Sequence, residues 1–149
     1  MPSLRSWRCR INSSTAMPFH FSLQALLRLR NVEEHRERLR LTVLNISRGR
    51  LRSEYEEAGR RALLEFERVQ KSLQGGMSGA EFRLEDASLQ ASGQRRREMA
   101  ALLEALELQV RKQITVFAES QKKRKILESL REREYLAFQQ IERRHEQQR

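Results

Sequence analysis

The chain has 149 residues, a net charge of +10 and a pI near 10.9, with 34% charged and only 6% aromatic residues. Ala, Glu, Lys, Leu and Arg supply 82 of the 149 residues, a composition of long helices or coiled coils and not of a globule with a thick core. Both prolines, Pro2 and Pro18, lie near the start, so 131 consecutive residues carry no obligatory helix breaker. A single cysteine, Cys9, excludes an internal disulfide framework and fits a reducing compartment. No apolar run approaches the roughly 18 residues that span a bilayer, and Ser3 to Ala16 holds arginines where a secretory signal has its apolar centre. A soluble, cytoplasmic product is expected. The basic balance suits an acidic partner surface, nucleic acid or an anionic membrane, and equally an arginine-rich set of solvated helix faces.

Residues 1–16 have no helical period and read as a disordered tail, or as translation from a start upstream of Met17. Trp7, Arg8 and Arg10 could touch a membrane surface, but the stretch is short and unpatterned. Residues 17–149 read as one all-α domain, a long antiparallel two-helix coiled coil.

The first arm runs from about 19 to 73, with the Ser22 hydroxyl as its expected N-cap. Its apolar residues recur at helical spacing: Leu23, Leu26, Leu29 or Val32, then Leu39, Val43 and Ile46. A second register follows through Leu51, Tyr55, Ala58, Ala62, Phe66, Val69 and Leu73. The step of five from Ile46 to Leu51 predicts a break in the heptad, and Gly49 and Gly59 make this the arm's soft region.

The reversal is expected over residues 74–79, where Gly75, Gly76 and Gly79 fall within five residues. Ser78 with Glu81 spells a capping box for the second arm, about 80–147. Its pattern is weak through Phe82 and Leu89, and Gly93 with Arg95, Arg96 and Arg97 allows a short separate helix at 80–91 followed by a kink. From Met99 the stripe is firm through Leu102/Leu103, Leu106, Val110, Gln113 or Ile114 and Phe117, then fades and resumes at Leu127, Leu130, Phe138 and Ile141. Folding at Met77 sets Leu51 near Glu104 and Phe21 near Glu134. The seam of two helices buries little, so the free protein is expected to be marginally stable.

Catalytic signatures are missing. His20, His35 and His145 are scattered without ligand-spaced companions, no Gly-rich loop follows a strand, and Glu/Arg neighbours sit at helix-surface spacings. No enzyme, metal, cofactor or small-molecule substrate is expected.

Two stretches carry a family likeness. Phe19 to Arg30 (FHFSLQALLRLR) with Glu33-Glu34 resembles the start of the FliJ family, and Gln121 to Leu130 (QKKRKILESL) with Arg131-Glu132-Arg133-Glu134 and Glu146-Gln147-Gln148 resembles its closing helix. The likeness covers the layout of residues 17–149. Residues 1–16 have no counterpart, and the chain stops at Arg149 where relatives usually continue with Leu-Asp-Glu-like residues.

The resemblance implies a non-enzymatic stalk of the bacterial flagellar type III export apparatus. It would sit in the pore of the hexameric export ATPase, stimulate it, contact the export-gate membrane protein, and escort export substrates or their chaperones. It would be cytoplasmic, peripherally associated with the inner membrane at the flagellar base. Arg28, Arg30, Arg36, Lys122, Lys123, Arg124, Lys125, Arg131 and Arg133 are then the candidate ATPase-ring contacts, and Tyr55, Phe66 and Phe82 the candidate gate contacts. For the basic residues a solvated face is the plain alternative, and for Phe66 packing in the seam. Two other functions fit the same physics. The stalk of a virulence-type injection system is indistinguishable by pattern. A basic coiled coil on nucleic acid is the third reading, though Glu134 occupies the next seven-residue step after Leu127 and the base-reading Asn is missing.

Overall fold

A computed structural model describes residues 18–148; the tail or upstream start expected over residues 1–16 lies outside them. Two helices account for nearly all of it: α1, Gln24–Gln74, and α2, Gly79–Gln147, packed against each other as an all-α hairpin. At 1.5 Å per residue they are about 77 and 104 Å long. Among the described residues there is no strand and no helix long and apolar enough to cross a membrane.

The reversal takes four residues. Gly75 caps α1, its N–H donating to the Lys71 carbonyl, and Gly76 then takes φ +91°, a left-handed angle that a side chain resists. Ser78 starts α2 with a reciprocal box: its hydroxyl accepts from the Glu81 N–H, and the Glu81 carboxylate accepts from the Ser78 N–H at 2.9 Å. These exchanges satisfy orphan donors that a helix start otherwise leaves bare.

The start of α1 differs from the expected Ser22 cap. Leu23 is the N-cap and makes no side-chain cap bond. Burial sets this end instead. Phe21 is 3% exposed and clusters with Leu27 and with Leu127 of α2, its carbonyl accepting from the Gln24 N–H in a tight turn. Phe19 adds an aromatic corner, its ring 5.3 Å from Tyr135 and 5.7 Å from Phe138.

The seam on α1 is not the most apolar stripe. Leu29, Val32, Leu39, Val43 and Ile46, expected in the seam, are all more than half exposed. The residues turned towards α2 in this half are Leu27, Arg30, Glu34, Glu37, Leu41, Leu44 and Arg48, continuing through Leu51, Tyr55, Ala58, Ala62, Glu65 and Val69. Their steps are three and four throughout, so the expected heptad break between Ile46 and Leu51 is absent. The two acidic seam positions are tolerated because α2 supplies their partners, Arg124 opposite Glu34 and Gln113 opposite Glu37, while Arg30 turns to Glu33 on its own helix. Among the described residues no buried side-chain nitrogen or oxygen lacks a hydrogen bond.

On α2 the firm stripe packs as expected at Met99, Leu103, Leu106, Phe117 and the fully buried Val110; Gln113, not Ile114, faces α1. Leu102 and Leu130 point outward. The separate helix expected at 80–91 is instead part of α2, which runs unbroken through Gly93, Arg95, Arg96 and Arg97. Gly93 continues the helix with open space where a Cβ would be, and Arg96 is used instead of repelled, its guanidinium 5.0 Å above the Tyr55 ring. Gly59, one turn beyond Tyr55, leaves room for it: a Cβ there would stand 3.3 Å from Arg96.

Candidate partner-binding surfaces

Among the described residues the candidate sites are patches along the two packed helices. Among the described residues no group of three or more metal-ligating side chains comes together. The nine basic candidates separate into paired and unpaired sets at the open end of the hairpin, opposite the turn.

Arg124 belongs to the seam. Its guanidinium is mostly covered and donates Nε–H to Glu34 and Nη1–H to Glu128. Glu34, with a side chain only 4% exposed, also accepts from Arg38 at 2.8 Å. Burial pushes the Glu34 carboxyl up, but the hydrogen bonds and charges of Arg124 and Arg38 outweigh it and hold the carboxyl below its ordinary value. The same contact to Glu34, aided by Glu128, raises the Arg124 guanidinium. Arg30 is half-buried and donates to Glu33 at 2.7 Å. One level further along, Glu37 is lowered by its bond from Gln113 at 2.7 Å, then by Arg40.

The other seven are exposed, and none of Arg28, Arg36, Lys122, Lys123, Lys125, Arg131 and Arg133 has a carboxylate partner among the described residues. On α2, Lys122, Lys125 and Arg133 rim a shallow groove of about 550 Å³ floored by Ile126 and Leu130. Arg28 and Arg36 stand at the same height on α1, as the contact from Glu34 to Arg124 requires. Solvated unpaired cations around an apolar floor form a surface that favours an acidic, partly apolar partner.

The three aromatic candidates are not brought together. Tyr55 lies in the seam beneath Arg96. Phe66 is 60% exposed, next to exposed Leu63 and Leu64 on α1, and does not pack in the seam; Phe82 is exposed on α2 close to the turn. Gly75 and Gly76 form the turn and Gly79 is the first residue of α2.

Pattern reading missed the Glu34–Arg124 and Glu37–Gln113 contacts, yet a signal for them exists. Counting back by sevens from Tyr55 reaches Arg48, Leu41, Glu34 and Leu27, and from Leu51 reaches Leu44, Glu37 and Arg30. The clear register of the second half therefore extrapolates to the true seam of the first.

A family model described as "Flagellar FliJ protein" matches residues 19–149. No curated protein and no solved structure matches the chain.

Proposed function

Because the chain belongs to the flagellar FliJ protein family and so is a component of the flagellar export apparatus, we propose that it is the apparatus's non-enzymatic stalk and adaptor, binding and stimulating the hexameric export ATPase. The observation that supports the ring contact is the set of seven unpaired cations at the open end, beside Arg124 and Arg30 that the hairpin keeps for itself. A contact that must form and release inside a ring is better made by exposed charges than by deeply buried ones, since exposed pairs are individually weak and sensitive to salt.

At the other end, Phe66 and Phe82 are the residues proposed to meet the export-gate membrane protein, because both present aromatic surface to solvent near the turn. Tyr55 is engaged by Arg96 and serves the rod itself. An escort role for export substrates or their chaperones, and a cytoplasmic position peripheral to the inner membrane at the flagellar base, belong to the same proposal.

The test is turnover of the purified export ATPase with and without the chain. Stimulation is expected, and Lys122→Glu with Lys123→Glu should abolish it while helicity by circular dichroism stays intact. An unchanged turnover in that double variant clears the lysines of the role. No stimulation by the folded wild-type chain removes the stalk reading.

A further inference from the structure

The outer face of α1 repeats the spacing of its inner one. Adding two residues to the seam positions Leu27, Arg30, Glu34, Glu37, Leu41 and Leu44 gives Leu29, Val32, Arg36, Leu39, Val43 and Ile46. Two residues turn about 200° around a helix, so this second row points almost directly away from α2. Its five apolar members are 51–61% exposed. The row is more apolar than the seam beside it, which holds Arg30, Glu34 and Glu37 over the same length. A solvated helix face has no use for aliphatic residues at steps of three and four, whereas a helix partner requires them.

The charges flanking the row select among partners. Glu33 is engaged by Arg30, and Arg40 by Glu37, leaving Arg28, Arg36 and Arg50 without carboxylate partners among the described residues. A second copy of this chain fits poorly. A parallel pairing sets Arg36 on Arg36, and an antiparallel pairing centred at Leu39 sets Val32 on Ile46 but Arg28 on Arg50. The first 17 residues of the chain contain three arginines and no carboxylate, so they too repeat the positive sign. A partner with acidic flanks removes the conflict.

We propose that the outer face of α1 from Leu29 to Ile46 is a docking site for an acidic amphipathic helix of another protein, which lies along the rod and completes a local three-helix bundle. The site spans about 26 Å, some five helical turns, and calls for a helix with aliphatic residues at heptad spacing and Glu or Asp beside them. It does not depend on which machine the rod serves; it shares Arg28 and Arg36 with the proposed ring contact, so its test rests on Leu39 and Val43, which that contact does not use.

The experiment uses the full chain and a fluorescein-labelled three-heptad peptide with Leu at its two core positions and Glu at the flanking ones, followed by fluorescence anisotropy. The peptide should bind, and Leu39→Glu with Val43→Glu should weaken binding at least about tenfold, with Leu39→Ala and Val43→Ala showing the same direction in a gentler form. Both positions are exposed, so circular dichroism should report an unchanged hairpin. Lys122→Glu with Lys123→Glu removes acidic-peptide binding at the groove on α2, and the binding that remains should still be lost with Leu39→Glu and Val43→Glu, while a peptide with Lys in place of Glu should bind far more weakly. Equal binding by the Leu39/Val43 variants, or by the lysine peptide, overturns the proposal. So does a dimer of the free chain in light scattering that Leu39→Glu with Val43→Glu dissolves, because the face would then belong to a second copy.

Discussion

Arg124 of α2 donates to Glu34 of α1 across a separation of 90 residues in the chain, and Glu34 is among the most buried side chains of the hairpin. An ion pair in a seam stabilises little by itself, because desolvation offsets most of the attraction, but removing one member leaves the other stranded. Glu34→Ala should therefore lower stability by about 1–3 kcal/mol, measured by urea unfolding followed by circular dichroism. Glu34→Leu with Arg124→Leu should recover that loss or exceed the wild type. If the double variant is as unstable as the single one, the pair does more than satisfy its own charges. Arg124 is consequently a poor choice for probing the proposed ATPase contact, since its loss disturbs the rod as well.

The same carboxyl makes stability depend on pH. Glu34 is held below its ordinary value of 4.5, so the folded chain binds that proton less readily than the unfolded chain does. Its contribution is complete above about pH 4.5 and is lost as pH falls through the lower folded value. Glu37, Glu57 and Glu81 are lowered too, so the whole hairpin should weaken in acid. Unfolding midpoints of the wild type and Glu34→Gln should converge as the pH drops from 6 towards 3; curves that stay parallel would remove Glu34 from the acid response.

The glycines should separate by sign. Gly49 and Gly93 sit inside helices with open space where an alanine methyl would stand, so Gly49→Ala or Gly93→Ala should each stabilise by about 1 kcal/mol. Gly76→Ala forces a side chain into φ +91° and should cost about 1 kcal/mol or more. Gly59→Ala gains helix propensity but pushes on the Arg96 guanidinium, which is long enough to give way, so its effect should be smaller than that of Gly49→Ala. Thermal unfolding of the four variants reads the order directly.

Phe21 is the best-buried aromatic among the described residues and joins the two open ends. Phe21→Ala should cost about 3 kcal/mol, and hydrogen exchange should show the loss as fraying concentrated in residues 19–30 and 127–140, with the turn end keeping its protection. A uniform loss along both helices would mean that the hairpin unfolds only as a whole.

These elements differ in how plainly the sequence announced them. The reversal at the clustered glycines, the Ser78–Glu81 box and the α2 stripe from Met99 to Phe117 follow from local chemistry, and local chemistry is what a sequence displays. The first half of α1 could not be read the same way. There the seam holds Glu34 and Glu37, whose partners lie 90 and 76 residues away, while the outward row is aliphatic. A criterion that follows hydrophobicity picks the outer row, and only the phase carried back from Leu51 and Tyr55 corrects it. Phe66 repeats the error further along, since an aromatic at helical spacing reads as seam when its neighbour Glu65 is the residue turned inward. The basic cluster was visible by composition; that Arg124 and Arg30 are already taken was not.

The aromatic latch at the open end has a mechanical consequence. A force that splays the two open ends of the hairpin apart strains Phe19, Phe21 and Leu27 first and then opens the seam one heptad at a time, whereas a thrust along the axis loads every heptad at once. The hairpin thus resists an axial load over its whole length and yields first where its tips are prised apart.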